Sequence, residues 1–246
     1  MMALICDISR LFFLAVRTID NGWSVFGLRN VRNGTTLGPM TRPAARKLKH
    51  FPGAVGMDEA GRGPLAGPVV AAAVALPRGF DCAGVRDSKK LTPKQREELA
   101  LRIKAEAAWA VCVIEVEELD RLNIFWASMA AMRRSLEALP VTPGKVFVDG
   151  NRIPPDIKLD CQLEAVIKGD DRLACVAAAS IIAKTTRDRL MRQYALIHGG
   201  YGFESHFGYS CPQHFQALRE LGPCAIHRRS FAPVQEALQG CLVFAD

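Results

Sequence analysis

Apolar residues along this chain come in two rhythms. Short unbroken runs alternate with longer stretches whose apolar positions recur every three or four residues. The clearest run spans 68–76, Pro-Val-Val-Ala-Ala-Ala-Val-Ala-Leu, and Pro77-Arg78-Gly79 stops it. A run with no polar member suits a strand covered on both faces. Further runs predict strands at 53–57, 108–116, 145–148 and 163–167, with 108–116 read as another buried strand.

The helical rhythm starts at Thr92. Thr92 can cap a helix, Pro93 suits its first turn, and Gln95 completes a capping box. That helix is predicted to run to about residue 107. Leu119, Leu122, Trp126, Met129 and Met132 recur at spacings of three and four, which predicts a helix over 117–139. The Phe125-Trp126-Ala127-Ser128-Met129 stretch is read as core. A long helix is predicted over 172–197, where Ala177, Ala178, Ala179 and Ser180 permit close packing. Pro212–Leu221 reads as a final short helix. Strands alternating with helices argue an α/β layered domain.

The 246 residues are 49% hydrophobic, enough for one sizeable core and an appendage. The formal charge of +7 suggests a polyanionic partner. Its distribution weakens that inference. Residues 1–50 hold eight Lys/Arg against two Asp/Glu, and the rest is almost balanced, with 24 against 23. Any nucleic-acid surface on the main domain is therefore a local patch. Residues 1–51 read as a basic, poorly ordered extension, with 30–50 as linker, and 52–243 as the folded domain. The apolar run Leu11-Phe12-Phe13-Leu14-Ala15-Val16 is bracketed by Arg10 and Arg17, far short of the roughly 20 residues a spanning helix needs. No membrane association is expected. Eight scattered cysteines, none in a Cys-x-x-Cys pair, read as buried, reduced thiols of a cytoplasmic protein.

Three places put acids at the end of an apolar run beside glycine. Asp58-Glu59 follow 55–57 and precede Gly61-Arg62-Gly63-Pro64. Asp149 follows 146–148 and precedes Gly150. Asp170 follows Gly169 and precedes a helix. Carboxylates at strand ends can hold hard divalent cations such as Mg²⁺ or Mn²⁺. Glycines beside them let backbone N–H groups approach a polyanion or a sugar hydroxyl. Metal beside open backbone suggests phosphodiester chemistry. Neighbouring strand residues face opposite ways, so Asp58 and Glu59 share a site only if the strand ends there. An acid at any one of these places can simply cap a turn; three such places together with the Gly-Arg-Gly turn argue against that. Pattern alone leaves Asp170 and Asp171 interchangeable.

Motifs in order then identify a family resemblance. Residues 57–67, Asp87-Ser88-Lys89-Lys90-Leu91, Val148-Asp149-Gly150-Asn151 and Lys168-Gly169-Asp170 resemble ribonuclease HII, the type 2 RNase H family. The 177–184 helix segment, Arg187-Asp188, Gly200-Tyr201-Gly202-Phe203, Gly208-Tyr209 and His227-Arg228-Arg229-Ser230-Phe231 extend the match over 53–241. The resemblance implies an RNase H-like mixed sheet flanked by helices, with a C-terminal helical part. It implies endonucleolytic cleavage of RNA in RNA/DNA hybrids, and incision 5′ of a single ribonucleotide in duplex DNA, as in replication and repair. It implies Asp58, Glu59, Asp149 and Asp170 as metal-binding catalytic acids, choosing Asp170 over Asp171. It implies that Gly61, Arg62 and Gly63 read the ribose 2′-OH, that Tyr209 stacks on the adjoining deoxyribose, and that the protein acts as a monomer.

Two ions roughly 3.5–4 Å apart suit an in-line displacement leaving 5′-phosphate and 3′-hydroxyl ends. Lys89, Lys90 and the Arg228-Arg229 pair are candidate phosphate contacts, though such clusters are commonly solvated surface. Cys211, His214, Cys224 and His227 have zinc-like spacing, but the His positions fit the family without zinc. Cys211 stands where the family usually carries threonine, which puts a hydroxyl cap on the last helix in doubt. A DNA-directed nuclease of the same fold would not need the 2′-OH-reading turn. A catalytically silent hybrid-binding protein would lack one of the acids.

Overall fold

A computed structural model describes residues 48–243, so nearly all of the basic extension lies outside the described residues. Five strands form one mixed sheet: β1 (Val55–Ala60), β2 (Val69–Ala75), β3 (Ala108–Ile114), β4 (Lys145–Asp149) and β5 (Gln162–Val166). The order is β3-β2-β1-β4-β5. β1 runs antiparallel to β2 and parallel to β4; β2–β3 is antiparallel and β4–β5 parallel. Among the described residues seven α-helices accompany it: α1 (Pro93–Glu106), α2 (Val116–Leu122), α3 (Ile124–Glu137), α4 (Ala174–Ile197), α5 (Phe203–His206), α6 (Pro212–Leu221) and α7 (Ala232–Val243).

Two apolar layers hold the sheet. On one face Ala72, Val74 and Phe147 pack with Ile103 of α1 and Val176, Ile181 and Ile182 of α4. On the other, Val55, Met57, Val146 and Val148 pack with Leu119 of α2 and Met129 and Met132 of α3. The alternation of β1 and β4 follows from the pleat. Gly56 points at α4, where a Cβ would lie 2.2 Å from the Cys175 carbonyl carbon. Helix and strand therefore approach more closely than any side chain permits at that point.

The β2 run is buried throughout, as its composition predicts. The capping box at α1 also forms, with Thr92 accepting from Gln95 N–H and Gln95 accepting from Thr92 N–H. Other elements differ from the sequence reading. β3 is an edge strand and only half-buried, because β2 is its sole partner. The helix predicted over 117–139 breaks at Asn123, which takes φ 66° and caps α3 by accepting from Phe125 and Trp126 N–H. Trp126 follows that cap and is half exposed, so it is not core. Lys49, assigned to the linker, donates its N–H to the Arg172 carbonyl at 2.9 Å and bridges Leu173. α7 follows the helix read as final.

The C-terminal helices clamp the segment between β1 and β2. Leu65 N–H donates to Gly208 O, Gly67 N–H to Ile226 O, and Arg228 N–H to Leu65 O, all within 2.9 Å. Leu65 also packs with Leu218 of α6 and Val234 of α7.

Candidate active site

β1 and β4 lie side by side, and Met57 pairs with Val148. Asp58 and Asp149 are the next residues of each, so both carboxylates emerge at the same sheet edge. Asp170 arrives from a 3₁₀ turn, Gly169–Asp171, just ahead of α4. That turn is fastened to β4, since Gly169 N–H donates to Asp149 Oδ1 at 2.7 Å. Glu59 does not lie beyond a strand end. It pairs with Ala71 inside the ladder, and β1 runs on to Ala60. The pleat therefore turns Asp58 and Glu59 to opposite sides, and they meet only through their position at the sheet edge.

Electrostatics nevertheless tie the four acids together. Asp58 is 5% exposed; burial, then Glu59, then Asp149 hold its carboxyl well above the usual range. Burial also raises Glu59, opposed by Arg62 and reinforced by Asp149. Burial, Asp149 and Asp87 push Asp170 up to about 6. Buried like charges raise one another's pKa values in this way. Among the described residues no three His, Cys, Asp or Glu groups close into a finished ligand cage. The donor set is all carboxylate oxygen with excess negative charge, which is the chemistry of a hard divalent cation. The residues fit such an ion.

The two lysines separate. Lys90 pairs with Asp171 in the open. Burial pulls Lys89 down, but Asp87, Asp170, Asp58 and Asp149 together raise its pKa above the ordinary value. Lys89 thus feels Asp58 and Asp149 as well as Asp170, while Lys90 is held chiefly by Asp171. Ser88 Oγ meets Ser180 Oγ at 2.9 Å, joining the Asp87-Ser88-Lys89 turn to α4 beside Asp58. Sequence reading gave Ser88 and Ser180 no individual role.

One residue beyond Ala60 the chain turns at Gly61, with φ +100°. Arg62 and Gly63 are exposed, and Arg62 reaches Glu59 at 3.4 Å. A Cβ on Gly63 would sit 3.9 Å from the Tyr209 ring, so the turn and the tyrosine border one another. Tyr209 is 40% exposed and rests on cations, 5.4 Å from Lys184 Nζ and 5.7 Å from the Arg187 guanidinium carbon. That exposure disfavours a core role for its ring.

Arg228 corrects the sequence reading. It is fully buried, so it is no solvated phosphate contact; Arg229 alone is exposed. The zinc-like quartet is occupied by its own bonds. His214 engages Tyr209 O and His227 Nε2, and His227 Nδ1 accepts from Cys224 N–H. Cys211 offers α6 no side-chain cap.

The model of the ribonuclease HII family matches residues 55–234. The chain belongs to the ribonuclease HII family. Ribonuclease HII of Maricaulis maris is 55% identical over 184 residues, which cover 75% of this chain and 84% of that protein. The crystal structure of ribonuclease H2 from Pyrococcus horikoshii superposes with a TM-score of 0.66 at 29% identity, over 76% of this chain and 97% of that one. The ribonuclease HII of Archaeoglobus fulgidus, solved in complex with PCNA, gives 0.64 at 30% identity, over 75% and 96%. Family membership makes the protein a metal-dependent endoribonuclease acting on RNA/DNA hybrids.

Proposed function

We propose that this chain hydrolyses the RNA strand of RNA/DNA hybrids and incises 5′ of a single ribonucleotide within duplex DNA. One observation carries the finer part of this reading: the open Gly61-Arg62-Gly63 turn follows the acid-bearing strand at once and borders an exposed Tyr209. Asp58, Glu59, Asp149 and Asp170 would hold Mg²⁺ or Mn²⁺. Bound there, the ions would activate water and stabilise the leaving 3′-oxygen, giving 5′-phosphate and 3′-hydroxyl ends. The turn offers its backbone to the ribose 2′-OH, the group that distinguishes RNA from DNA. Tyr209 would offer a face to the next sugar, and Lys89, beside the acids, would contact a backbone phosphate. Free thiols at Cys82, Cys112, Cys161, Cys175, Cys211 and Cys224 suit a reducing cytoplasm. Among the described residues no helix is long and apolar enough to cross a membrane.

The test is cleavage of four matched substrates: a long hybrid, duplex DNA with one ribonucleotide, plain duplex DNA and duplex RNA. Mg²⁺, Mn²⁺ and chelator arms accompany each, and the ends are mapped. Incision 5′ of the ribonucleotide and sparing of plain DNA are expected. Equal cutting of plain DNA would overturn the reading.

A further inference from the structure

Arg187 and Arg228 are the two largest fully buried side chains among the described residues. Among the described residues no carboxylate lies within ion-pair distance of either. Their donors go instead to six backbone carbonyls. Arg228 donates to Gly67 O at 2.9 Å, Arg62 O at 3.0 Å, Gly61 O at 2.5 Å and Pro68 O at 3.2 Å. Arg187 donates to Pro68 O, Phe207 O and Ala66 O, each at 3.0 Å. Five of these carbonyls belong to 61–68, the segment that contains the turn. The sixth stands two residues before Tyr209.

A buried guanidinium with no carboxylate paired to it is costly. Burial pulls Arg187 down to about 10 and Arg228 to about 9, so both stay cationic at neutral pH. Plain packing would not need a charge here. What two planar forks supply is direction, because each donor fixes the carbonyl it meets. A trans peptide sets its N–H opposite its C=O. Arg228 draws the carbonyls of Gly61 and Arg62 inward. The N–H groups of Arg62 and Gly63, in those same peptide units, are thereby turned outward. Neither has an acceptor among the described residues. Arg187 meanwhile packs beneath the Tyr209 ring and bonds the Tyr209 loop and the 66–68 segment at once.

We propose that Arg228 and Arg187 are positioning residues for substrate discrimination. Arg228 aims the Arg62 and Gly63 amides as a paired donor site, and Arg187 sets the distance from that site to Tyr209. The proposal rests on the reading of the turn as the ribose contact. A long hybrid offers many registers, so a misaligned pair still finds a ribose. A single ribonucleotide offers one, and both contacts must fit together there.

The experiment measures kcat and KM for Arg228→Lys and Arg187→Lys on the single-ribonucleotide duplex and on the long hybrid, beside Gly63→Ala and Tyr209→Ala. Circular dichroism and Mn²⁺ titration of each variant check the fold and the acid cluster. Lysine keeps the charge but loses the fork. The expected result is a drop of tenfold or more in the single-ribonucleotide to hybrid ratio of kcat/KM, with Mn²⁺ affinity unchanged. An unchanged ratio in folded lysine variants overturns the positioning role. If Gly63→Ala and Tyr209→Ala leave the ratio unchanged as well, the reading of the turn itself has failed; if they lower it, only the arginine assignment has. Amide exchange decides the matter should the lysine variants not fold. In Asp149→Asn protein, which should bind without turnover, the Arg62 and Gly63 amides should exchange fast when free. They should become protected by the single-ribonucleotide duplex and not by plain DNA. Slow exchange in the free protein would show inward amides and overturn the proposal.

Discussion

The acid cluster and the glycine turn are neighbours in the chain, yet they are held in opposite ways. Asp58, Glu59 and Asp170 sit where burial and the charge of Asp149 make ionisation unfavourable. The 61–68 segment that contains the turn is held by six guanidinium hydrogen bonds to its carbonyls. One region repels itself and is completed by a cation from outside. The other is internally satisfied and stands pre-organised for its ligand. The difference predicts different responses to mutation. Removing an acid should cost activity and not stability. Disturbing the frame of the turn should cost both, except at atoms that face only outward.

The largest expected effect tests the first half. Asp58→Asn and Asp149→Asn should each lower cleavage by about a thousandfold or more, the order seen when a transition-state charge stabiliser is lost. Their melting temperatures without metal should not fall, and Asp58→Asn should raise it by relieving a buried charge. Steady-state cleavage and thermal melts in chelator check this. A folded variant with near-normal cleavage would remove that acid from the site.

The second half is tested by two glycines that look alike in sequence. Gly61 has φ +100°, and a Cβ there would meet Arg187 Nε at 2.2 Å and Pro68 O at 2.7 Å. Gly61→Ala should cost about 1–3 kcal/mol for its backbone alone, with displaced Arg187 adding to that. Gly63 has nothing closer than the Tyr209 ring at 3.9 Å. Gly63→Ala should stay within about 0.5 kcal/mol of the parent while weakening ribonucleotide incision. Denaturant melts of the two variants give the answer. Equal destabilisation would show that the turn is not framed from beneath.

That pair also shows what the sequence discloses. The acids stand out in the sequence because each follows a short apolar run near glycine, a local signal. The α1 capping box and the all-apolar β2 were legible for the same reason. The frame of the turn was not. Arg228 and Gly61 are 167 residues apart, and Arg187 and Pro68 are 119 apart. A buried arginine and a solvated one have the same letter, and only the carbonyls it meets distinguish them. The break at Asn123 was hidden likewise, because the apolar spacing continues across it and the cap depends on one left-handed residue.

A smaller effect follows from Asp170, whose carboxyl is pushed up to about 6 by burial, Asp149 and Asp87. Its folded pKa lies above the ordinary value of 3.8, so the native state holds the proton more tightly than the unfolded chain. Stability from this group is therefore present at low pH and lost as pH rises through about 4 to 6. Asp170→Asn should melt higher than the parent at pH 7 in chelator, and the gain should shrink toward pH 4. Added Mg²⁺ or Mn²⁺ should stabilise the parent more than the variant, since only the parent keeps the full ligand charge. A gain independent of pH would mean that the carboxylate is not the source.

The smallest effect concerns the two lysines, and it asks how far the field of the acid cluster reaches. Lys90 is exposed and paired with Asp171, so screening leaves it little influence. Lys90→Ala should leave melting temperature and cleavage close to those of the parent. Lys89 instead faces Asp170, Asp58 and Asp149 as well as Asp87. Its ammonium competes with an incoming cation for the same negative charge. Lys89→Ala should therefore tighten Mn²⁺ binding, by roughly two- to fivefold at low ionic strength, and the gain should fade with added salt. If Lys89 also neutralises a phosphate, the same variant should bind hybrid more weakly and flatten its salt dependence by about one unit of slope. Calorimetric Mn²⁺ titrations and hybrid binding at several salt concentrations separate these effects. A larger change in Mn²⁺ affinity from Lys90→Ala than from Lys89→Ala would place the edge of the acid cluster on the wrong lysine.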